Sequence, residues 1–589
     1  MGIEFEKLGI RLGRRHALIA LALLGAMWVI GSGSDPDPAA AGDGTPPGSM
    51  APASPGRGAR AQGDRAQSAL APAPDPERSG APGIESTAVV APGAQPPVRE
   101  SDPPPAASVR PARQEGPSAL LGGAIEREVA RAVARAREGS KGKVHGSNTV
   151  VSVHVRDLEG RTLVSRLARS PLRPASNLKL LTCATALVLL GPDASFETTF
   201  LTRDPVAEGV LEGDLIVSAG GDPLYRDGSD GSIEDWIGPV ARHLRELGIQ
   251  RVQGSLVLDE GEFLSPGPGP GWPDPKEYWK EYCALSAGFS ANAGCLTATV
   301  LPAAPGGQAT VRVRPRTFGL DRKGTVTTGK ARSSLNVAVG ANSGGVTVRG
   351  SIPSDVSEYE ARFSAPDPVE LFGHAVVGSL ERNGVSIRSG FRRQRGAAAD
   401  AKAIAVLASP MRDALVPVLR DSNNSVADQL FVATAHGVGL GGTREGGLAA
   451  TRRALEALGV THEGLAQVDG SGLSRDNRVS TEQLTALLAE VLEVGEPATE
   501  LFLEALPVAG ISGSLAGRMK AGAAKGRVRA KTGFIGGTSG LSGFVETRDG
   551  RTLIFSILVD YPRFSGLNNS AWKPMQDAIC EVLVEYTGG

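Results

Sequence analysis

The sequence lacks the residues and patterns that define several common classes of protein. Aromatic residues make up 4% of its 589 residues, and 62 Lys and Arg are balanced by 63 Asp and Glu. This balance offers no basic excess for nucleic acid and no acidic excess typical of a solvating tail. The seven His residues form no H-E-x-x-H pattern, and G-x-S-x-G does not occur, so a zinc hydrolase and an α/β-hydrolase are both poorly supported.

Cysteine is scarce as well. The four Cys residues, at positions 183, 283, 295 and 580, show no C-x-x-C spacing, which argues against a metal or thioredoxin-like site. Cys283 and Cys295 lie close together in a segment flanked by Gly and Pro, and a disulfide between them is compatible with an exported chain. The alternative is that the cysteines are small buried side chains.

The N-terminal apolar run is short. Residues 17–30 follow a cluster of Lys and Arg and fall below the roughly 20 residues that a membrane-spanning helix needs. Residues 1–31 are therefore predicted to be a signal peptide, with an uncleaved membrane anchor as the alternative, and the rest of the chain is expected in the periplasm or cell envelope. Residues 32–118, rich in Pro, Ala, Gly and Ser, bury too little apolar area to offset their ordering entropy and are predicted to be a disordered linker.

Order is predicted from about residue 119. Residues 119–200 show a helix, a β-hairpin and a long apolar helix, and residues 398–589 show further helices and a second hairpin. Between them, residues 201–397 consist mostly of short Val- and Thr-rich runs between Gly and Pro turns, with two helical stretches. The two ends are expected to build one domain together, interrupted by a mixed α+β insert.

The pattern S-x-x-K occurs three times, but only Ser176 and Lys179 open a long apolar helix. Residues three apart lie on one face of a helix, and a Ser at the helix N-terminus directs its backbone N–H toward a developing oxyanion. A Lys held in a desolvated place can lose its proton and act as a base. Taken alone, the pattern also fits an N-capping Ser and a surface Lys.

Two further short motifs follow along the chain. Ser422 and Asn424 form S-x-N in a turn between two predicted helices, and K-[ST]-G occurs once, at residues 531–533, on a C-terminal strand. A strand edge can pair with an extended peptide, Gly permits close backbone approach, and Lys with a hydroxyl suits a substrate carboxylate. Each motif is common by itself, but S-x-x-K, S-x-N and K-[ST]-G in this order are used by penicillin-binding proteins and serine β-lactamases.

From residue 119 to 589 the chain resembles the class C low-molecular-mass penicillin-binding proteins, the D-alanyl-D-alanine carboxypeptidase/endopeptidase family (peptidase family S13). Five strings carry the resemblance: PASNLKLLT at 174–182, GGDP at 220–223, DGSGLSR at 469–475, LPVAG at 506–510 and AKTG at 530–533. The resemblance implies a multi-domain α+β fold. Its penicillin-binding-protein/β-lactamase-like transpeptidase domain, an antiparallel sheet with flanking helices, would be interrupted by the large insert between the first two motifs.

The resemblance also implies roles for the motif residues and no metal or cofactor. Ser176 would be the acylated nucleophile, and Lys179 would take its proton. Ser422 would pass a proton to the leaving amine, with Lys531 tuning it.

Substrate binding is implied for the remaining positions. Asn424 would hold the acyl-side amide of the substrate. Thr532 would bind the terminal carboxylate, next to Lys531 and Gly533. The backbone N–H groups of Ser176 and Phe534 would form the oxyanion hole.

The implied function is a serine-type D-Ala-D-Ala carboxypeptidase that acts on peptidoglycan stem peptides and is inhibited by β-lactam antibiotics. D,D-endopeptidase action stays open, and so does N-terminal membrane attachment. The alternatives are a β-lactamase or esterase on the same fold and a non-catalytic scaffold that binds the cell wall. Three departures from the family pattern stand out: Asn423 where Asp is common, Phe534 where a small or hydroxyl residue is common, and a run at 510–515 that lacks an acidic residue.

Overall fold

The computed structural model describes residues 117–223, 233–316, 321–342 and 345–588. The predicted signal or anchor at 1–31 lies outside the described residues, as does the predicted linker except for its last two positions. Those two residues, Pro117 and Ser118, already belong to the first helix. No helix within these ranges combines the length and apolar character that crossing a bilayer requires.

The described ranges contain ten α-helices. They are α1 (Pro117–Gly139), α2 (Leu178–Leu190), α3 (Ile233–Glu246), α4 (Pro368–Arg382), α5 (Met411–Leu419), α6 (Asn424–Gly437), α7 (Arg444–Ala457), α8 (Thr481–Val491), α9 (Glu496–Ala505) and α10 (Lys573–Val584).

The strands of the same ranges form five sheets. They are β1 (Val150–Asp157), β2 (Thr162–Arg166), β3 (Ser195–Thr202), β4 (Val206–Ala207), β5 (Val210–Leu211), β6 (Leu215–Ala219), β7 (Arg251–Val252), β8 (Leu256–Asp259), β9 (Cys295–Leu301), β10 (Thr310–Arg314), β11 (Arg322–Lys323), β12 (Val326–Gly329), β13 (Asn336–Asn342), β14 (Gly345–Pro353), β15 (Tyr359–Ser364), β16 (Ser386–Ile387), β17 (Phe391–Arg393), β18 (Lys402–Pro410), β19 (Val528–Ile535), β20 (Thr538–Glu546) and β21 (Thr552–Asp560).

One antiparallel sheet joins the two ends of the ordered chain. Its strand order is β19-β20-β21-β1-β2, and β1 from the first segment pairs with β21 from the last, with Val153 opposite Ile557. Strands β20 and β21 are buried along almost their whole length, because helices cover both faces. The core on one face contains Ile125 of α1 and Ile579 of α10. The core on the other face contains Leu488 of α8 and extends to α2, α5, α6 and α9.

The inserted region builds most of two further cores. The first lies between the sheet β17-β8-β6-β3-β18 and helices α3 and α4, and it also includes Phe431 and Val432 of α6. The second lies between the sheet β10-β9-β15 and the sheet formed by β11, β12, β13 and β14. Strands β3 and β18 lie at the two ends of the expected insert at 201–397 and pair with each other in the first sheet. We therefore propose that the insert runs from the start of β3 to the end of β18.

The cysteines are small buried side chains, which was the alternative to a disulfide. All four are unbonded and buried, so the disulfide considered between Cys283 and Cys295 is not formed. Cys283 ends a short 3-10 turn at Glu281–Cys283, and Cys295 opens β9. The Sγ of Cys295 lies 4.0 Å from the Glu281 carbonyl oxygen, so this thiol meets the backbone of the turn rather than the other sulfur.

Candidate active site

The first motif lies where the chain enters α2. Ser176 sits in the middle of a 3-10 turn, Ala175–Asn177, that runs directly into the helix at Leu178. Ala175, just before it, has a φ of 46°, a left-handed conformation that costs a non-Gly residue free energy and is common at functional sites. Ser176 is half-buried, whereas Lys179, one turn later, is fully buried.

The amine of Lys179 is held at three points. Its Nζ lies 3.1 Å from Ser176 Oγ, 2.7 Å from Asn424 Oδ1 and 2.6 Å from the Ser471 carbonyl oxygen. The amide oxygen and the carbonyl oxygen only accept hydrogen bonds, so they take two N–H groups of the amine. When the amine is neutral, its lone pair is therefore left to face the Ser176 hydroxyl.

The second motif lies in the turn between α5 and α6. Ser422 has a φ of 61°, again left-handed for a non-Gly residue. Asn423 caps α6, since its side chain accepts the backbone N–H of Val426 at 3.1 Å. Asn and Asp cap helices about equally well, which accounts for Asn423 without any chemical role. The cap fixes where α6 begins and so places Asn424 beside Lys179.

Lys531 connects the third motif to the second. It is fully buried, and its Nζ donates to Ser422 Oγ at 2.8 Å and to the Thr532 carbonyl at 2.9 Å. Strand β19, which carries it, is the outermost strand of the antiparallel sheet. Through the contacts of Lys179 and Lys531, the three motifs meet in one place.

Gly533 allows this strand to approach the Ser176 turn. A Cβ at position 533 would overlap the side-chain amide of Asn177 and come within 2.8 Å of the Pro174 carbonyl oxygen. The close backbone approach expected at this glycine is thus made to the turn that carries Ser176. A side chain here would push β19 away from α2.

Thr532 and Phe534 are more exposed than their neighbours Lys531 and Gly533, as alternation along a strand requires. Thr532 Oγ1 donates to Ser514 Oγ at 2.8 Å, so two hydroxyl groups meet at this edge. Phe534 is 42% exposed, and residues two apart on a strand lie about 7 Å from each other. The aromatic ring therefore borders the place where Thr532 would meet a substrate.

Both polar atoms of the Asn424 side chain are hydrogen-bonded. Its Oδ1 accepts from Lys179, and its Nδ2 donates to the Tyr282 carbonyl at 2.8 Å. Tyr282 belongs to the insert, so this bond ties the insert to the site. The predicted contact of Asn424 with a substrate amide would use the second N–H group of Nδ2.

Burial changes the acid–base properties of both lysines. Burial lowers the pKa of Lys179 to about 8, against the opposing attraction of Asp428 and Asp469. Burial also lowers the pKa of Lys531 well below its ordinary value, and the neighbouring positive charge of Lys179 adds to this. Neutral amines are thus accessible near physiological pH. Among the described residues, no group of three or more His, Cys, Asp or Glu side chains is arranged to hold a metal ion.

The three sequence motifs do not include several residues of this site. Ser471 supplies a carbonyl to Lys179, Tyr282 supplies one to Asn424, and Ser514 meets Thr532. Ser471 lies in DGSGLSR, and Ser514 lies in the run that follows LPVAG. The strings DGSGLSR and LPVAG were therefore the sequence signals that could have pointed to Ser471 and Ser514. Tyr282 has no comparable signal, because nothing in its sequence context places the insert against α6.

The antiparallel sheet, its flanking helices and the three motifs meeting at Ser176 define a protein of the penicillin-binding-protein fold. Penicillin-binding protein 4 (dacB) from Haemophilus influenzae has the same fold, with a TM-score of 0.63 and 22% identity over 77% of this chain and 98% of that one. The model of the D-Ala-D-Ala carboxypeptidase 3 (S13) family matches residues 140–586. The chain belongs to this family.

Two relatives of the chain are also named carboxypeptidases. The chain is 34% identical to a D-alanyl-D-alanine carboxypeptidase of Actinomadura sp. (strain R39) over 448 residues, which cover 73% of this chain and 80% of the relative. It is 27% identical to carboxypeptidase DacB of Mycolicibacterium smegmatis, over 68% of this chain and 74% of that one. The predicted family, the fold class and the enzyme class, a carboxypeptidase, are confirmed.

Proposed function

We propose that the chain hydrolyses the terminal D-Ala-D-Ala bond of peptidoglycan stem peptides through an acyl-enzyme on Ser176. The observation that carries the proposal is the environment of Lys179. A buried amine lies 3.1 Å from the Ser176 hydroxyl, and two fixed acceptors occupy its other positions. This arrangement suits removal of the hydroxyl proton by a neutral amine.

Acylation then follows from the geometry. Ser176 Oγ attacks the carbonyl carbon between the two D-Ala residues while its proton passes to Lys179 Nζ. The backbone N–H groups of Ser176 and Phe534 would stabilise the oxyanion. Ser422, hydrogen-bonded to Lys531, would relay the proton taken up by Lys179 to the leaving amine. The C–N bond breaks, D-alanine leaves, and water hydrolyses the resulting ester.

The edge of β19 would hold the substrate. An extended peptide can pair with a strand edge, here beyond the Val508–Arg529 bridge that occupies the start of β19, and the Thr532 and Ser514 hydroxyls suit its terminal carboxylate. β-Lactam antibiotics carry a comparable acyl group and carboxylate, so the same groups would bind them. We place the enzyme in the periplasm or cell envelope, where its substrate lies, with residues 1–31 as the signal peptide for export and an uncleaved membrane anchor as the alternative.

The proposal is tested by incubating the full chain with an N-acetylated peptide ending in D-Ala-D-Ala and measuring released D-alanine. Ser176→Ala should abolish release while the protein stays folded. Ser570→Ala is the matched control, because Ser570 belongs to another S-x-x-K pattern, is exposed and donates only to Asn568. Release that persists in Ser176→Ala would refute the proposal.

Intact mass after mixing with penicillin separates the alternatives. A carboxypeptidase should retain the antibiotic as a long-lived adduct. Rapid loss of the adduct with accumulation of hydrolysed antibiotic would indicate a β-lactamase. Absence of both adduct and D-alanine release in a folded protein would indicate a non-catalytic scaffold.

A further inference from the structure

A carboxylate on α6 is tied to the loop that holds the Lys179 amine. Asp428 lies one helical turn after Asn424, so both side chains are on the same face of α6. Asp428 is only 5% exposed. Its Oδ1 accepts the backbone N–H groups of Gly470 at 2.8 Å and Ser471 at 2.7 Å. The mechanism above does not use this carboxylate.

The same two residues of the loop present their carbonyl oxygens to α2. Thr182 Oγ1 donates to the Gly470 carbonyl at 2.7 Å, and Lys179 Nζ donates to the Ser471 carbonyl at 2.6 Å. Lys179 and Thr182 are three residues apart and so lie on one face of α2. The Gly470–Ser471 segment therefore bridges the two helices, with its N–H groups toward α6 and its carbonyl groups toward α2.

The loop packs too closely against its neighbours to admit side chains at Gly470 and Gly472. A Cβ at Gly470 would overlap the Ala427 carbonyl oxygen, and one at Gly472 would overlap the Ala175 carbonyl oxygen. Gly472 also has a φ of +81°, which favours glycine. Asp469 secures the rest of the loop from within, since it accepts the N–H groups of Gly472 at 2.8 Å and Ser474 at 2.7 Å.

We propose that Asp428 is a positioning residue for Lys179, because it holds the Gly470 and Ser471 N–H groups and thereby directs the Ser471 carbonyl at the amine. With that carbonyl and Asn424 Oδ1 both fixed, the remaining position of the amine faces Ser176. Asp428 thus acts on the amine through the Ser471 carbonyl. This inference rests on the proposed role of Lys179 as the base.

Rescue by the isosteric amide gives the proposal a second readout. Burial, together with the neighbouring Asp469, raises the pKa of Asp428 to about 8, so its side chain is largely neutral over the acid limb of acylation. What Asp428 contributes there is the oxygen that accepts the Gly470 and Ser471 N–H groups, and an amide can supply the same acceptor.

Two variants test whether the acceptor oxygen of Asp428 is what positions the amine. Asp428→Asn keeps an oxygen that can accept both N–H groups, whereas Asp428→Ala removes the acceptor. Penicillin acylation is measured as a maximal rate and a dissociation constant for the preceding complex, between pH 5.5 and 9. We expect Asp428→Ala to lower the maximal rate about 10- to 100-fold with the dissociation constant unchanged. Asp428→Asn should retain most of the maximal rate.

Asp259→Asn and Asp259→Ala are the matched controls. Asp259 is 3% exposed and accepts backbone N–H groups of Gly261, Gly396 and Ala398 inside the insert. These controls should leave the maximal acylation rate unchanged, even where the melting temperature falls.

Three results would overturn the inference. The first is a wild-type maximal rate in folded Asp428→Ala. The second is a folded Asp428→Asn variant that loses the maximal rate about 10-fold or more although its amide oxygen can accept both N–H groups, which decides the matter if Asp428→Ala does not fold. The third is an effect confined to the dissociation constant. Failure of the proposed function is recognised separately, because the wild-type protein would then form no adduct and release no D-alanine.

Discussion

The rate of acylation should follow the deprotonation of Lys179. Burial lowers the pKa of this amine from an ordinary 10.5 to about 8. At pH 7 about one amine in ten would then be neutral, against roughly 0.03% with the ordinary value, a gain of about 300-fold or about 3 kcal/mol in available base. Below pH 8 the acylation rate should rise about tenfold per pH unit, and above pH 8 it should level off.

The assay is the initial rate of labelling by a fluorescent penicillin at subsaturating concentration between pH 5.5 and 9. Lys179→Arg is the control, because a guanidinium does not lose its proton and labelling should fail at every pH. A rate that does not change with pH, or one that still rises steeply at pH 9, would refute the assignment of Lys179 as a base with a lowered pKa.

Three further outcomes are expected. Gly533→Ala should lower the free energy of unfolding by roughly 1–3 kcal/mol and the acylation rate at least about tenfold, because the new Cβ meets Asn177 and Pro174. Gly536→Ala is the control, since its Cβ would meet nothing closer than 3.6 Å and should change neither quantity. Equal melting temperatures and acylation rates for the two variants would contradict the packing argument. Phe534→Thr should speed acylation by β-lactams with bulky side chains without changing the melting temperature, because the ring is 42% exposed beside Thr532; identical rates would show that it does not border the substrate. All four thiols should react with a thiol reagent only after denaturation, because each is buried and unbonded; a mass gain on reduction of the untreated protein would reveal a disulfide.

Much of the site could be predicted because each motif carries its own local signal. The apolar run after Lys179 marks α2, the polar turn around Ser422 separates two amphipathic helices, and the strand at 528–535 precedes a hairpin. Each of these signals depends only on residues that are neighbours in sequence. The order of the three motifs along the chain then predicts that they meet in one site. The helix begins at Leu178 rather than at Ser176, since the 3-10 turn precedes it.

The remainder depends on contacts that sequence does not display. Asp428 looks like any polar residue of an amphipathic helix, and only the packed loop at 470–471 shows that it is buried and bonded. The limits that we propose for the insert rest on the pairing of β3 with β18, two strands about 200 residues apart. The separation of Cys283 and Cys295 likewise depends on tertiary structure, because closeness in sequence does not bring two sulfur atoms together.

Peptide mapping of the penicillin adduct tests the central claim most directly. The full chain is reacted with penicillin, digested, and each modified peptide is located by mass spectrometry. The account predicts one adduct, on Ser176, that is absent from Ser176→Ala. An adduct on Ser422, Ser471 or any other side chain would contradict it.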